Sequence, residues 1–203
     1  MQRYTLYRSS EEHSADCDKY PYEKIPARVF LDTNIVSCLV KWHEQIFEHQ
    51  IPPLGIDPTL AEDIESLMHI FLVGSRAYWN ILVSSKTLEE LSKTSNLSLR
   101  SKLLEYGTQL VGYGTTGDSP EEDRRYCFDL ARRLVDSPFL ARLPDIPDRE
   151  LISHAVALQC DVFCTRDRHS IHRKRNYLRH IPLRVLTPGE WWNHVKPWAG
   201  LWL

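Results

Sequence analysis

Four short apolar runs separated by helix-length segments predict an α/β protein, a three-layer α/β/α arrangement around a mostly parallel central sheet. The runs Val29-Phe30-Leu31, Asn80-Ile81-Leu82-Val83-Ser84, Asp161-Val162-Phe163-Cys164-Thr165 and Leu183-Arg184-Val185-Leu186 are strand-length and rich in strand-forming residues. The segments between them carry apolar residues at helical spacing and open on helix-entry residues. Strand, crossover helix and parallel strand is the arrangement these two signals share.

Residues 1–27 are polar, carry Tyr4, Tyr7, Tyr20 and Tyr22 without a clear period, and read as an arm, extended over a single domain, 28–203, or partly disordered. After the first strand a helix is expected over 35–49, through Ile35, Val36, Cys38 and Leu39. Asp57-Pro58 starts the next, with Leu60, Ile64, Leu67, Met68, Phe71 and Leu72 on one stripe. Thr87 opens a helix behind the second strand, and residues 98–112 form another through Leu99, Leu103, Leu104 and Leu110. Gly112, Gly114 and Gly117 mark a loop, and Ser119-Pro120-Glu121-Glu122 is a capping box for a helix through Cys127, Leu130, Ala131 and Leu134. Pro138, Pro144 and Pro147 interrupt before Asp148 starts a helix through Leu151, Ile152, Ala155, Val156 and Leu158. Thr187-Pro188-Gly189-Glu190 caps the last helix, and Trp191, Trp192, Trp198 and Trp202 anchor it to the body or to a second copy rather than stacking bases.

A chain of 203 residues with 42% hydrophobic residues can bury one sizeable core. Its formal charge of −2 gives no global attraction to nucleic acid or an anionic membrane, so any polyanion site must be local. Five cysteines, an odd number without C-x-x-C spacing, suit reduced thiols in a cytoplasmic protein better than a disulfide framework or a zinc site. No apolar signal region opens the sequence and no stretch reaches bilayer length, so a soluble protein without a membrane partner is expected.

The acids carry the chemistry. Asp32 ends the first strand, Glu90 follows the second, Asp148 stands at a helix start and Asp167 follows the third strand. In a parallel sheet the strands' carboxyl ends share one edge, and the crevice there is where such sheets bind ligands. Carboxylates converging on that edge repel one another unless a cation neutralises them, and an all-oxygen site suits Mg²⁺ or Mn²⁺. Each acid also has a structural alternative. Asp32 can cap the helix that follows it, although Thr33 and Asn34 can do the same. Thr87 and Glu90 match a capping box, Asp148 competes with Asp145 as an N-cap, and Asp167 can be a loop acid. Asn34 and Thr165 can support the carboxylates or a metal-bound water, or serve as cap and turn residues.

Taken together, these segments resemble the PIN-domain family of metal-dependent ribonucleases, which includes many toxins of bacterial toxin–antitoxin pairs. Val29-Phe30-Leu31-Asp32-Thr33-Asn34 is similar to its first motif and Thr87-Leu88-Glu89-Glu90-Leu91 to its second. Asp148 with Leu151, Ile152 and Ala155 resembles the third, Thr165-Arg166-Asp167 the fourth, and Leu186-Thr187-Pro188-Gly189-Glu190 the closing strand and helix. The resemblance spans 29–190 and selects Glu90 over Glu89. It implies that Asp32, Glu90, Asp148 and Asp167 are catalytic and hold one or two Mg²⁺ or Mn²⁺ ions, supported by Asn34 and Thr165. It implies RNA, single-stranded or structured, as partner, with cleavage leaving a 5′-phosphate and a 3′-hydroxyl. It also accommodates an antitoxin or inhibitory protein, and a homodimer. The arm, the long 40–80 region and the tryptophan-rich tail depart from the compact toxins of that family.

The segment from Arg166 to Arg184 is strongly basic, and Arg166, Arg168, His169, Arg173 and Lys174 are the expected substrate contacts. His169 and His172 lack a second ligand pair for zinc. Two other classes compete with the nuclease: a PIN-like RNA- or protein-binding module that cleaves little, and a phosphatase with Asp32 as nucleophile. The phosphatase wants a second Asp two residues on, where Asn34 stands.

Overall fold

The structure, a computed structural model, describes residues 6–77, 79–111 and 121–202. Strands β1 (Arg28–Leu31), β2 (Asn80–Leu82), β3 (Val162–Cys164) and β4 (Arg184–Leu186) form one parallel sheet in the order β2-β1-β3-β4. Phe30 pairs in register with Leu82 on one side and Phe163 on the other, and Phe163 pairs with Val185. The strand period of two then sorts the side chains. Val29, Leu31, Val162, Cys164 and Leu186 enter one core; Phe30, Leu82, Phe163 and Val185 enter the other.

The first core is covered by α2 (Thr33–Lys41), α3 (His43–Phe47), α4 (Pro58–Ala77), α5 (Ser85–Ser92), α6 (Leu97–Gln109) and α9 (Pro188–Val195). The second is covered by α7 (Glu121–Val135), α8 (Ile146–Ala157) and the stretch that brings in Ile171, Leu178 and Ile181. The three-layer α/β/α arrangement is therefore present, with every strand parallel. From β1 the chain steps outward to β2, then returns across β1 to β3, so the direction of winding reverses between β1 and β3. The carboxyl ends of those two strands are the topological switch point, where a crevice opens in sheets of this kind.

Three local expectations change. Residues 1–27 are not an extended arm throughout: α1 (Ser10–Lys19) is a helix. It buries no residue, so it leaves no hydrophobic period to read; it is held by Ser9 accepting from the Glu12 N–H and by Glu11 and Glu12 in its first turn. The helix expected over 35–49 is two, α2 and α3, broken at Trp42, whose backbone leaves helical geometry at φ −114°, ψ 32°. The helix expected to open at Asp148 begins at Ile146, with Asp145 at the N-cap and Asp148 inside the first turn. Gly112, Gly114, Gly117, Ser119 and Pro120, the loop and the capping-box start, lie outside the described residues.

The tryptophans fasten the C-terminal segment to the body. Trp191 is fully buried, 5.7 Å from the Trp79 ring, and Trp192 stacks on His69 at 4.9 Å. Trp198 donates its indole N–H to the Tyr20 carbonyl, and Tyr22 packs against Trp198 and Trp202, tying the residues after α1 to the same anchor. All five cysteines are free thiols, with Cys38, Cys160 and Cys164 buried. Among the described residues no helix is long and apolar enough to cross a membrane. Trp191→Ala is expected to lower the unfolding free energy by about 3–5 kcal/mol in a urea titration; an unchanged midpoint would refute this packing.

Candidate functional site

The cleft stands at the switch point. Asp32 follows β1 directly, and its backbone N–H donates to the Cys164 carbonyl at the end of β3, 3.0 Å away. Its carboxylate is 5% exposed and Oδ2 accepts two hydrogen bonds, from Thr165 Oγ1 at 2.5 Å and Asn34 Nδ2 at 2.6 Å. Asn34 turns its Oδ1 to the Arg166 N–H, and Thr165 Oγ1 also accepts from the Asp167 N–H. The two residues expected as supports thus cross-link the ends of β1 and β3 through the Asp32 carboxylate.

Glu90 enters from α5. Thr87 is not the N-cap of that helix: Ser84 is, and Thr87 stands at N3, buried, as the other half of the capping box, its hydroxyl accepting from the Ser84 N–H at 3.3 Å. Glu90 is thereby freed from the capping-box alternative. One of its oxygens, Oε2, accepts from Thr33 Oγ1 at 2.5 Å, and the other, Oε1, is buried with no hydrogen-bond partner among the described residues. Asp148 and Asp167 share the Ser170 hydroxyl, which lies 3.3 Å from Asp148 Oδ2 and in short contact with Asp167 Oδ2. A hydroxyl has one proton, so it donates to one of the two at a time. Asp167 Oδ1 also accepts from the His169 and Ser170 N–H groups, which makes Asp167 the cap of its own turn. Asp32, Glu90, Asp148 and Asp167 all line one cleft of about 840 Å³.

Burial and crowding set the charges. Burial pushes the Asp32 carboxyl from its ordinary 3.8 up to about 7; the hydrogen bonds from Thr165 and Thr33 oppose the rise, and the charges of Asp148 and Glu90 add to it. Burial likewise pushes Asp148 to about 6, against the Ser170 hydroxyl and with help from Asp145, Asp167 and Glu90. Burial acts to raise Asp167 too, but the Ser170 and His169 donors outweigh it and hold that carboxyl below its ordinary value.

These residues fit a hard divalent cation. The donors are carboxylate oxygens, the kind Mg²⁺ and Mn²⁺ take, and an acceptor oxygen buried without a donor is a group a cation would satisfy. A cation would also offset the cost of burying a charged Asp32, the main cause of its raised value, and the smaller repulsion from Asp148 and Glu90. Among the described residues no group of three His, Cys, Asp or Glu side chains is drawn together closely enough to hold an ion as it stands.

The basic residues are deployed differently from the sequence expectation. Asp63 of α4 is 0% exposed and takes Arg166 Nε at 2.9 Å and both terminal nitrogens of Arg168 at 3.0 Å. A fully buried carboxylate demands such partners, so it draws the loop after β3 down onto α4. Arg166 still lines the cleft; Arg168, His169, Arg173 and Lys174 are not among its lining residues. Lys41 and Trp42, at the end of α2, line it instead. The sequence held one signal for Asp63: an acid three residues after Leu60 and four before Leu67, on the apolar stripe of its helix.

The raised carboxyls make stability depend on pH. A group whose folded value lies above its unfolded one binds more protons in the fold, so its contribution is full below 3.8 and is lost as pH rises toward about 7. The chelated chain is expected to lose thermal stability from pH 4.5 to pH 7.5, and Asp32→Asn to flatten that slope; an equally steep slope in the variant would contradict the assignment. Asp63→Ala strands two arginines at the α4 surface and is expected to cost about 3 kcal/mol or more in a urea titration, with a loss below about 1 kcal/mol contradicting the clamp. Comparison of the chain with protein-family models, with curated proteins and with solved structures finds no match.

Proposed function

We propose that this chain is a metal-dependent endoribonuclease acting on single-stranded RNA, the activity that its resemblance to PIN-domain proteins implies. The observation that carries the reading is the pair of acids at the switch point: buried Asp32, whose carboxyl is pushed up to about 7, and half-buried Glu90, whose buried Oε1 has no hydrogen-bond partner among the described residues. Asp32, Glu90 and Asp148 would hold the ion, with Asp167 beside them. When bound, a divalent ion supplies Lewis acidity and lowers the pKa of a coordinated water.

The chain's own residues prepare for this. Thr165 and Asn34 fix Asp32 Oδ2, and Thr33 fixes Glu90 Oε2, so neither carboxylate has to be ordered when substrate arrives. The loop donors around Asp167 keep it ionised. Near neutral pH Asp32 can carry a proton, which it would give up on taking a cation. Lys41, exposed at the cleft wall, is placed to meet a backbone phosphate.

A second reading, a binding module that cleaves little, draws on the Asp63 clamp, which withdraws Arg166 Nε and the Arg168 guanidinium from substrate. Two measurements separate the readings. Asp32→Asn should abolish Mg²⁺- or Mn²⁺-dependent cleavage of single-stranded RNA while leaving the circular dichroism spectrum unchanged, and calorimetric Mn²⁺ titration should show a site in the parent that the variant lacks. Full cleavage by a pure Asp32→Asn preparation overturns the mechanism; a parent with neither cleavage nor an acid-dependent ion site favours the module.

A further inference from the structure

Two recesses meet where α2 breaks into α3. The carboxylate cleft and a second hollow of about 620 Å³, bounded by α2, α3 and α6, both have Lys41 and Trp42 in their walls. Across the second hollow stands Tyr106 of α6, half-buried, with a hydroxyl that makes no hydrogen bond among the described residues. Burial pushes that hydroxyl up to about 12, so it stays a neutral donor.

Trp42 sits on a rigid seat. Its N–H donates to the Cys38 carbonyl and its own carbonyl accepts from Ile46, so both helices fix its backbone. The residue is half-buried and forms the ridge between the two recesses. Beside it Lys41 is exposed and has no acidic partner among the described residues. Glu44, Glu48 and Glu105 in the hollow repel phosphate but can accept hydrogen bonds from exocyclic amino groups of bases. A cation next to an aromatic face, followed by a hollow of aromatic and acceptor groups, suits a phosphate and then a base.

We propose that Trp42 is a stacking platform for the nucleobase adjoining the phosphate held in the carboxylate cleft, with that base lodged against Tyr106 and its connecting phosphate on Lys41. This deepens the nuclease reading and rests on it for the identity of the polymer. It also gives a physical reason for single strands: in a duplex the base faces are already stacked and cannot lie on an indole. Trp42 here binds substrate and sets the strand preference; it takes no part in bond cleavage.

The test uses the full chain carrying Asp32→Asn, so that a fluorescein-labelled single-stranded RNA of mixed sequence stays intact during anisotropy titrations. Trp42→Leu, which keeps apolar bulk without a π face, should weaken binding by roughly 5- to 100-fold, while Trp42→Phe restores most of it and a duplex of equal length responds to neither. Lys41→Gln should lower the steepness of the log affinity against log salt plot by about 0.7. RNAs carrying one abasic nucleotide at successive positions repeat the test without altering the protein. Removing the base at a single position should weaken binding to the chain that retains Trp42 and have no further effect on the chain carrying Trp42→Leu.

Trp42→Leu binding single-stranded RNA within about twofold of its parent, or a parent with no affinity for it at all, overturns the platform. Cleavage assays on the Asp32 chain are scored separately. No cleavage together with Trp42-dependent binding removes the nuclease and leaves the platform; cleavage with Trp42-independent binding removes the platform and leaves the nuclease.

Discussion

The hydrogen bonds on the Asp32 carboxylate hold the candidate site together. Thr165 and Asn34 both converge on Oδ2, and through them the end of β1, the start of α2 and the loop after β3 become one rigid junction. A buried carboxylate has to be satisfied by donors, and here the donors come from the segments that follow the two strands flanking the reversal of winding. The sheet's topology and the site's electrostatics therefore meet in a single side chain. Everything else in the cleft is arranged around it: Glu90 through Thr33, Asp167 through Thr165, and Asp148 through Ser170.

The tension in this junction is electrostatic. Asp32 and Asp148 are both held above their ordinary range by burial and by neighbouring acids, whereas Asp167 gathers enough donors to remain charged. Sites that stabilise a fold place cations opposite buried acids, and this protein does so elsewhere: Asp63 has two arginines. Within the cleft the acids face each other, and a buried oxygen of Glu90 lacks a donor among the described residues. The contrast between Asp63, compensated by two arginines, and the cleft acids, which face one another, is what marks the cleft as the candidate site.

Much of this was legible in the sequence because strand and helix periods are local. The four strand runs stand within a residue or two of their positions, and Asp32 and Thr165 fall directly after strands, with Asn34 in the helix turn that follows, by simple counting. What was not legible depends on distant partners or on absent periodicity. The α1 helix shows no buried face, so no hydrophobic pattern announces it. Trp42 splits a segment whose apolar residues would permit one continuous helix. The run of arginines looked like a phosphate grip, and only the burial of Asp63, over a hundred positions earlier in the chain, reveals that Arg166 and Arg168 are committed inward.

The separation between Asp32 and Thr165, 133 positions along the chain, has a consequence during synthesis. As the polypeptide leaves the ribosome, β1 can find β2 long before β3 exists, because domains acquire long-range contacts only once both partners have emerged. Until the stretch around Thr165 appears, the first acid is solvated, unoriented and no more acidic or basic than any other aspartate. The cleft is thus among the last features to be completed. On the nuclease reading, a nascent chain would carry the means of cutting a nucleic acid without yet being able to use it beside its own messenger.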